Sequence, residues 1–177
     1  MTAAAGGAKV WLSDLTHEEV AARLERPHVA ILPTAATEQH GPHLPLDVDT
    51  RLTGSICEGA AQAVAGEIGV VIAPTLLFGI SEHHMRFPGT LSLSPETFIA
   101  AAFELGTSLI RHGFDRLVLV NGHGGNVGAL GVIAWRLRLE GGASEVVYLS
   151  HWTLGRERWA ELGQAARQLR AEASEGG

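Results

Sequence analysis

The stretch Arg116-Leu117-Val118-Leu119-Val120-Asn121-Gly122-His123-Gly124-Gly125-Asn126 runs from a β-branched apolar segment straight into a glycine-rich turn. Arg116 to Val120 reads as a buried strand, and Val127 to about Glu140 as the helix that follows, stopped by Gly141-Gly142. The same unit recurs on both sides. Upstream, His28 to Pro33 reads as a strand and Thr34 to Val48 as a Pro/Gly/His-rich loop. Thr50 to about Ala65 then reads as a helix, with Leu52, Ile56 and Val64 on one face. Val70 to Ala73 is the next strand, and Pro74 to Leu93 a second long loop. Ser94-Pro95-Glu96 opens a helix to about His112, with a Ser cap, Pro in the first turn and Gly113 at its end. Glu145 to Leu149 is the fourth strand, and Leu154 to about Ala173 a charged amphipathic helix. Near the start, Thr16-His17-Glu18-Glu19 is a capping box for a short helix through about Leu24. Short apolar strands alternating with helices predict one α/β domain over residues 1–177. Its mainly parallel sheet is covered on both faces, a three-layer α/β/α arrangement.

Composition narrows the function classes. Of 177 residues, 46% are hydrophobic and 18% charged, an ordinary globular balance. Lys plus Arg is 13 and Asp plus Glu is 19, a net charge of −6 that argues against a nucleic-acid partner. No apolar run reaches the ~18 residues of a membrane span, and no basic-then-apolar leader is visible. The cytoplasm is the default compartment. The single cysteine, Cys57, excludes an internal disulfide and any multi-cysteine zinc site.

In parallel sheets, ligands bind outside the carboxyl ends of the strands. Two polar segments, Glu38 to Asp49 and Asn121 to Asn126, each follow a strand and so fall at one edge. Glu38 and His40 are two apart, so in extended chain they face the same way, as a divalent metal requires. Gly41-Pro42 turns the chain, and Asp49 either returns to the same point as a ligand or caps the helix from Thr50. Asp47 has a weaker claim, and His43 reads as a loop histidine or an outer contact. His123 lies just past a strand, between glycines that allow close backbone approach and positive φ. The turn lacks the G-x-x-x-x-G-K-[ST] and G-x-G-x-x-G spacings, which disfavours phosphate binding. In Ser81-Glu82-His83-His84, neighbouring side chains of an extended chain diverge, so at most one histidine faces a given site, and His84 is preferred on the substrate side. No G-x-S-x-G elbow exists, and Cys57 reads as buried and inert. Glu38, His40, Asp49 and His123 therefore form an oxygen/nitrogen ligand set suited to Zn, Mn or Fe. A carboxylate such as Asp49 could bridge two ions, a pairing used in hydrolysis.

Taken together, three segments resemble the creatininase family. They are Leu32-Pro33 through Thr37-Glu38-Gln39-His40-Gly41-Pro42-His43-Leu44-Pro45 to Asp49, Phe87-Pro88-Gly89-Thr90, and Val120-Asn121-Gly122-His123-Gly124-Gly125-Asn126. The match runs over roughly residues 29 to 152. The resemblance implies an α/β/α fold and a metal-dependent amidohydrolase acting on cyclic amides, formamides or peptide ends. Activities in the family include creatinine hydrolysis, deformylation of a formamidopyrimidine nucleotide and peptide trimming in mycofactocin maturation. It also implies a small-molecule amide substrate and a homo-oligomer, often a hexamer. By resemblance two ions bind per subunit: Glu38 and His123 hold one, His40 the other, and Asp49 bridges them. Glu38, Asp49, His123 and His84 are then the catalytic set. His84 precedes the F-P-G-T run near the substrate entrance, Asn126 joins it as a substrate contact, and Trp152 either stacks on substrate or packs the sheet end.

Two departures stand out. Creatininase carries a glutamate where this chain has Gly125. Relatives with N-G-H-G-G-N take their second glutamate from a later H-A-G-E-like segment, which does not occur before Gly177. The expectation is a C-terminally truncated member, its second ion short of a ligand. The alternative is a non-catalytic paralogue serving as a metal-binding or partner subunit.

Overall fold

The structure, a computed structural model, describes residues 8–155. Four strands form its sheet: β1 His28–Thr34, β2 Gly69–Ile72, β3 Arg116–Asn121 and β4 Glu145–Ser150. All pair in parallel, in the order β2-β1-β3-β4. The chain leaves β1 for β2 on one side and later returns to β3 on the other. The order therefore reverses between β1 and β3, where an open α/β sheet leaves its binding crevice. Thr34 pairs with Asn121, and Asn121 with Ser150, so three strands end level.

Side chains alternate across the sheet and make two cores. Ala30, Leu32, Leu117 and Leu119 pack under α3 (Pro95–Arg111) and α4 (Val127–Leu139) through Phe98, Ala102, Ile133 and Leu137. Ile31, Val70, Ile72 and Val120 face α2 (Val48–Val64) through Cys57 and Ala61. Three layers result, as expected. The face α2 buries differs from the predicted one. Gly54, Cys57 and Ala61 lie inward and Val64 packs against the same core as expected, whereas Leu52 and Ile56 are exposed. Small residues let the helix lie close to the sheet.

The elements fall close to their predicted places. Thr16 and Glu19 make both halves of the capping box of α1 (His17–Leu24). Ser94 caps α3, and Gly113, at φ 108°, ends it. α2 starts earlier than expected, at Val48, with Asp47 as its N-cap residue. Asp49 is thus inside the first turn and is not the cap. α5 is one turn, His151–Leu154, closed by Gly155. The helix expected onward to Ala173 lies outside the described residues. Among the described residues, no helix is long and apolar enough to cross a membrane.

Candidate metal centre at the strand ends

A buried polar row fixes the floor of the crevice. Thr34 Oγ1 donates to Asn121 Oδ1 (3.2 Å), and Asn121 Nδ2 donates to Ser150 Oγ (3.1 Å). Asn121 also brackets the next loop, accepting from His123 N (3.1 Å) and donating to His123 O (2.7 Å). This grip sets His123 directly over the end of β3. Glu38 N donates to Leu46 O (3.0 Å), closing the loop after β1 so that Asp49 returns beside Glu38 and His40. Gly41, at φ 79°, makes the turn.

Glu38, Asp49 and His123 are buried, and His40 is half-buried. Asp49 stands between the two histidines. Its Oδ1 lies 3.0 Å from His40 Nε2, and its Oδ2 lies 3.0 Å from His123 Nδ1. Glu38 Oε1 is 3.3 Å from the same His123 nitrogen. The outer ring nitrogens decide what these contacts are. His40 Nδ1 is 3.1 Å from Glu38 O, and His123 Nε2 is 3.1 Å from Ile80 O. A carbonyl only accepts, so each of those nitrogens carries the hydrogen. In the neutral rings, His40 Nε2 and His123 Nδ1 are then bare lone pairs pointed at carboxylates. That arrangement calls for a cation between them. Separations near 3 Å suit neighbouring ligands on one divalent ion with bonds of ~2.0–2.2 Å. A carbonyl on the outer nitrogen is the usual way a ligating histidine is oriented. Glu38 Oε2 is buried without a hydrogen-bond partner, a further acceptor without a cation. Two ligand triads emerge, Glu38–His40–Asp49 and Glu38–His83–His123. A divalent metal therefore fits the residues present.

In the absence of metal, a proton is the available cation. Burial pulls the His123 imidazolium down, but hydrogen bonds to Asp49 and Ile80 and the charges of Glu38 and Asp49 outweigh it, and its pKa rises.

His84 sits at the outer side, with Nε2 3.9 Å from Glu38 Oε1. Gln39 Oε1 accepts from Gly41 N (3.0 Å), so its amide nitrogen donates to His84 Nδ1 (3.0 Å). The His84 hydrogen is then on Nε2, facing the crevice as a donor. Trp152 is half-buried at the end of β4, edge-on to His151. Asp47 Oδ2 accepts from Arg51 Nε (2.7 Å), and His43 is exposed.

Three expectations need correction. Asn126, expected to touch substrate, is fully buried. Its Oδ1 accepts from Ile80 N (3.0 Å), and its Nδ2 donates to Ala35 O (3.1 Å) and Asn121 Oδ1 (3.2 Å). Both ends of the amide are spent on the fold, so it pins the Ile80 loop to the strand ends. The glycines after His123 do not use positive φ. They make room for protein backbone and side chains: a Cβ on Gly125 would lie 2.0 Å from Ile80 O, and one on Gly122 would lie 1.7 Å from Thr53 Oγ1. The His83-His84 pair does not diverge, because Glu82–His84 is a 3-10 turn. The rings lie 4.3 Å apart, and both reach the crevice.

Ser81, His83 and His151 were not singled out by the sequence. Ser81 Oγ is 3.3 Å from His123 Nε2, so Asp49, His123 and Ser81 line up like a nucleophilic triad. Ser81 is fully buried, and the His123 nitrogen facing it already carries a hydrogen for Ile80 O. It can neither take the serine proton nor expose the oxygen to substrate. Cys57 is no nucleophile either, since burial pushes its thiol up to about 12. His151 follows β4, its Nδ1 buried without a partner. Burial lowers its pKa and the Asp49 charge partly offsets this. Applying the strand-end rule to β4 as to β1 and β3 would have found it.

The family model described as creatininase, creatinine amidohydrolase, matches residues 13–177. The chain belongs to the creatininase family. It is 42% identical over 116 residues to a mycofactocin precursor peptide peptidase of Mycobacterium ulcerans (strain Agy99), covering 63% of this chain and 46% of that protein. It is 35% identical over 154 residues to the creatinine amidohydrolase of Pseudomonas putida, covering 81% of this chain and 58% of the other. A tryptophan-to-phenylalanine mutant creatininase superposes with a TM-score of 0.71 at 33% identity, over 82% of this chain and 60% of that one. The chain thus spans about half the length of the curated relatives it matches. The creatininase fold accounts for the parallel sheet, and Gly125 marks a local difference. With Ile80 O 2.0 Å from any Cβ there, this backbone has no room for the glutamate that the resemblance to creatininase leads one to expect.

Proposed function

We propose that this chain carries the metal-binding core of an amidohydrolase that cleaves an amide C–N bond in a cyclic amide, formamide or peptide end. The observation that carries the reading is the pair of bare histidine nitrogens, one on each oxygen of Asp49. Glu38 and His123 would hold one divalent ion and His40 the other, with Asp49 between them, the metal being Zn, Mn or Fe. Such a pair, when bound, supplies a polarising charge for a carbonyl and makes a water acidic enough to react at neutral pH. The chain's own residues do the rest. Burial holds Glu38, Asp49 and His123 in place, and Asn121 fixes the backbone of His123, so they need little reorganisation. His84 offers its Nε2 hydrogen to a substrate carbonyl or leaving nitrogen at the entrance. Trp152, at the end of β4, would supply an aromatic face to the substrate. The names of two relatives support the amide class, a peptidase and a creatinine amidohydrolase, whereas a 3-dehydro-scyllo-inosose hydrolase of Thermotoga maritima, at 31% identity, is named for a carbocyclic ketone and supports hydrolysis only. A structure of creatininase with manganese and one of a zinc–zinc type support the metal choice.

The same reading makes the protein one cytoplasmic domain over 1–177 and a homo-oligomer, hexameric by resemblance, with no nucleic-acid or membrane partner. The net charge of −6 supports the exclusion of nucleic acid. The test is a screen of the chain loaded in turn with Zn, Mn and Fe on creatinine, N-formyl compounds and short peptides. Hydrolysis of at least one class is expected, falling by more than ~100-fold in Asp49→Ala, beyond the loss typical of an outer-shell partner. Turnover that Asp49→Ala leaves intact would refute the assignment.

A further inference from the structure

We infer that His83 is a metal ligand, supplied from the solvent side by the 3-10 turn and completing the Glu38–His123 half of the centre. The inference rests on the metal reading above and adds a donor that the strand-end segments do not contain. Three observations meet at this side chain. A donor nitrogen of His83 lies within 4.8 Å of donor atoms of both Glu38 and His123, and those two lie as close to each other. The His83 ring stacks on the His123 ring, 5.7 Å apart and tilted by only 12°. Glu38 belongs to both triads and keeps one buried oxygen without a partner.

The turn that carries His83 is anchored. Ile80 N donates to Asn126 Oδ1 (3.0 Å), Ser81 N donates to Ser92 Oγ (3.0 Å), and His84 N donates to Ser81 O (2.8 Å). Asn126 is bonded in turn to Asn121, which brackets His123. His83 and His123 are therefore held to one asparagine pair from two loops. The two adjacent histidines divide the work: His84 is committed through Nδ1 to Gln39, whereas His83 has no hydrogen bond among the described residues that would compete with an ion. A ligand from this turn also suits a chain in which Gly125 cannot be exchanged for a carboxylate. The second ion, on His40 and Asp49, gains nothing from His83, because Asp49 and His40 are not in its triad.

The test is metal binding, read without substrate. Wild type, His83→Ala, His17→Ala and Glu38→Gln are stripped with chelator and titrated with Zn²⁺ against a competing indicator, then with Co²⁺ while the visible ligand-field bands are recorded. His83→Ala is expected to lose at least about ten-fold in affinity at one of two sites, the lower end of what even an outer-shell partner contributes. Its Co²⁺ bands should change in intensity, and free imidazole should restore them. His17→Ala, on the remote α1, should match wild type. Unchanged Zn²⁺ affinity and Co²⁺ bands in His83→Ala, with wild type binding normally, would overturn the inference and leave the metal reading standing. Failure of wild type itself to bind either metal would overturn both. Equal unfolding midpoints of metal-free wild type and His83→Ala would show that the loss is not one of folding.

Discussion

At the scale of single residues, the site is governed by which nitrogen of each histidine holds the hydrogen. Backbone carbonyls of Glu38 and Ile80 fix that choice for His40 and His123, leaving lone pairs against Asp49. Metal and proton then compete for one place. For the metal-free chain the sign follows from the raised pKa of His123. Its protonated form gains partners only in the folded state, so its stabilisation is complete below the ordinary histidine value of 6.5 and is lost as pH rises through the higher native value. His151 shifts the other way, through burial first. The His123 share is therefore best read as a difference between variants. The stability gap between metal-free wild type and His123→Gln should narrow as pH rises above the ordinary histidine value of 6.5 in denaturant titrations. A gap that widens would contradict the assignment. The four candidate ligands were legible because Glu38, His40 and His123 follow strands in segments punctuated by glycine or proline, and Asp49 opens the helix after the first of these segments. Asn126 was misread because its neighbours in the motif are site residues, and nothing in a sequence tells an asparagine facing substrate from one that feeds two backbone loops. His83 was missed because alternation holds for extended chain and the segment is a 3-10 turn.

At the scale of elements, close approach matters more than backbone freedom. The turn after β3 presses on the first turn of α2 at Gly122, where Thr53 Oγ1 donates to Asp49 O (2.7 Å). It presses on the Ile80 strap at Gly125. Gly125→Ala drives a methyl into a backbone oxygen that Asn126 holds in place. It is expected to cost ~1–3 kcal/mol, the usual range for overpacking. It should also weaken metal binding, because His123 Nε2 would lie only 2.6 Å from the new Cβ. Thermal unfolding and metal titration of the same variant check both effects, and wild-type values in both would refute the packing argument. Element types were readable because capping chemistry is local: the Thr16–Glu19 box and the Ser94 cap both formed. The start of α2 was not, because Asp47 occupies the cap position without a side-chain capping bond. The buried face of α2 was misjudged for a different reason. Periodicity weights large apolar residues, but here the inward positions are the small Gly54, Cys57 and Ala61.

At the scale of the whole molecule, the strand order β2-β1-β3-β4 makes the site possible. The reversal between β1 and β3 opens the crevice; the loops leaving those two strands carry Glu38, His40 and His123, and the first turn of α2 carries Asp49. Four short apolar strands and their intervening helices were enough to read the parallel sheet and the edge that bears the candidate ligands. The pairing order was not readable, since it depends on which faces the helices cover. A site assembled from two loops at a switch point should bind metal only in the folded chain, so loading and stability are linked. The most direct test of that claim is elemental analysis of the purified chain before and after chelation, in parallel with Asp49→Ala. Retained divalent metal, removed by chelator, recovered on readdition and lost in Asp49→Ala, is the predicted result. A wild-type chain that holds no metal when offered Zn, Mn or Fe, or an Asp49→Ala chain that holds as much as wild type, would contradict it.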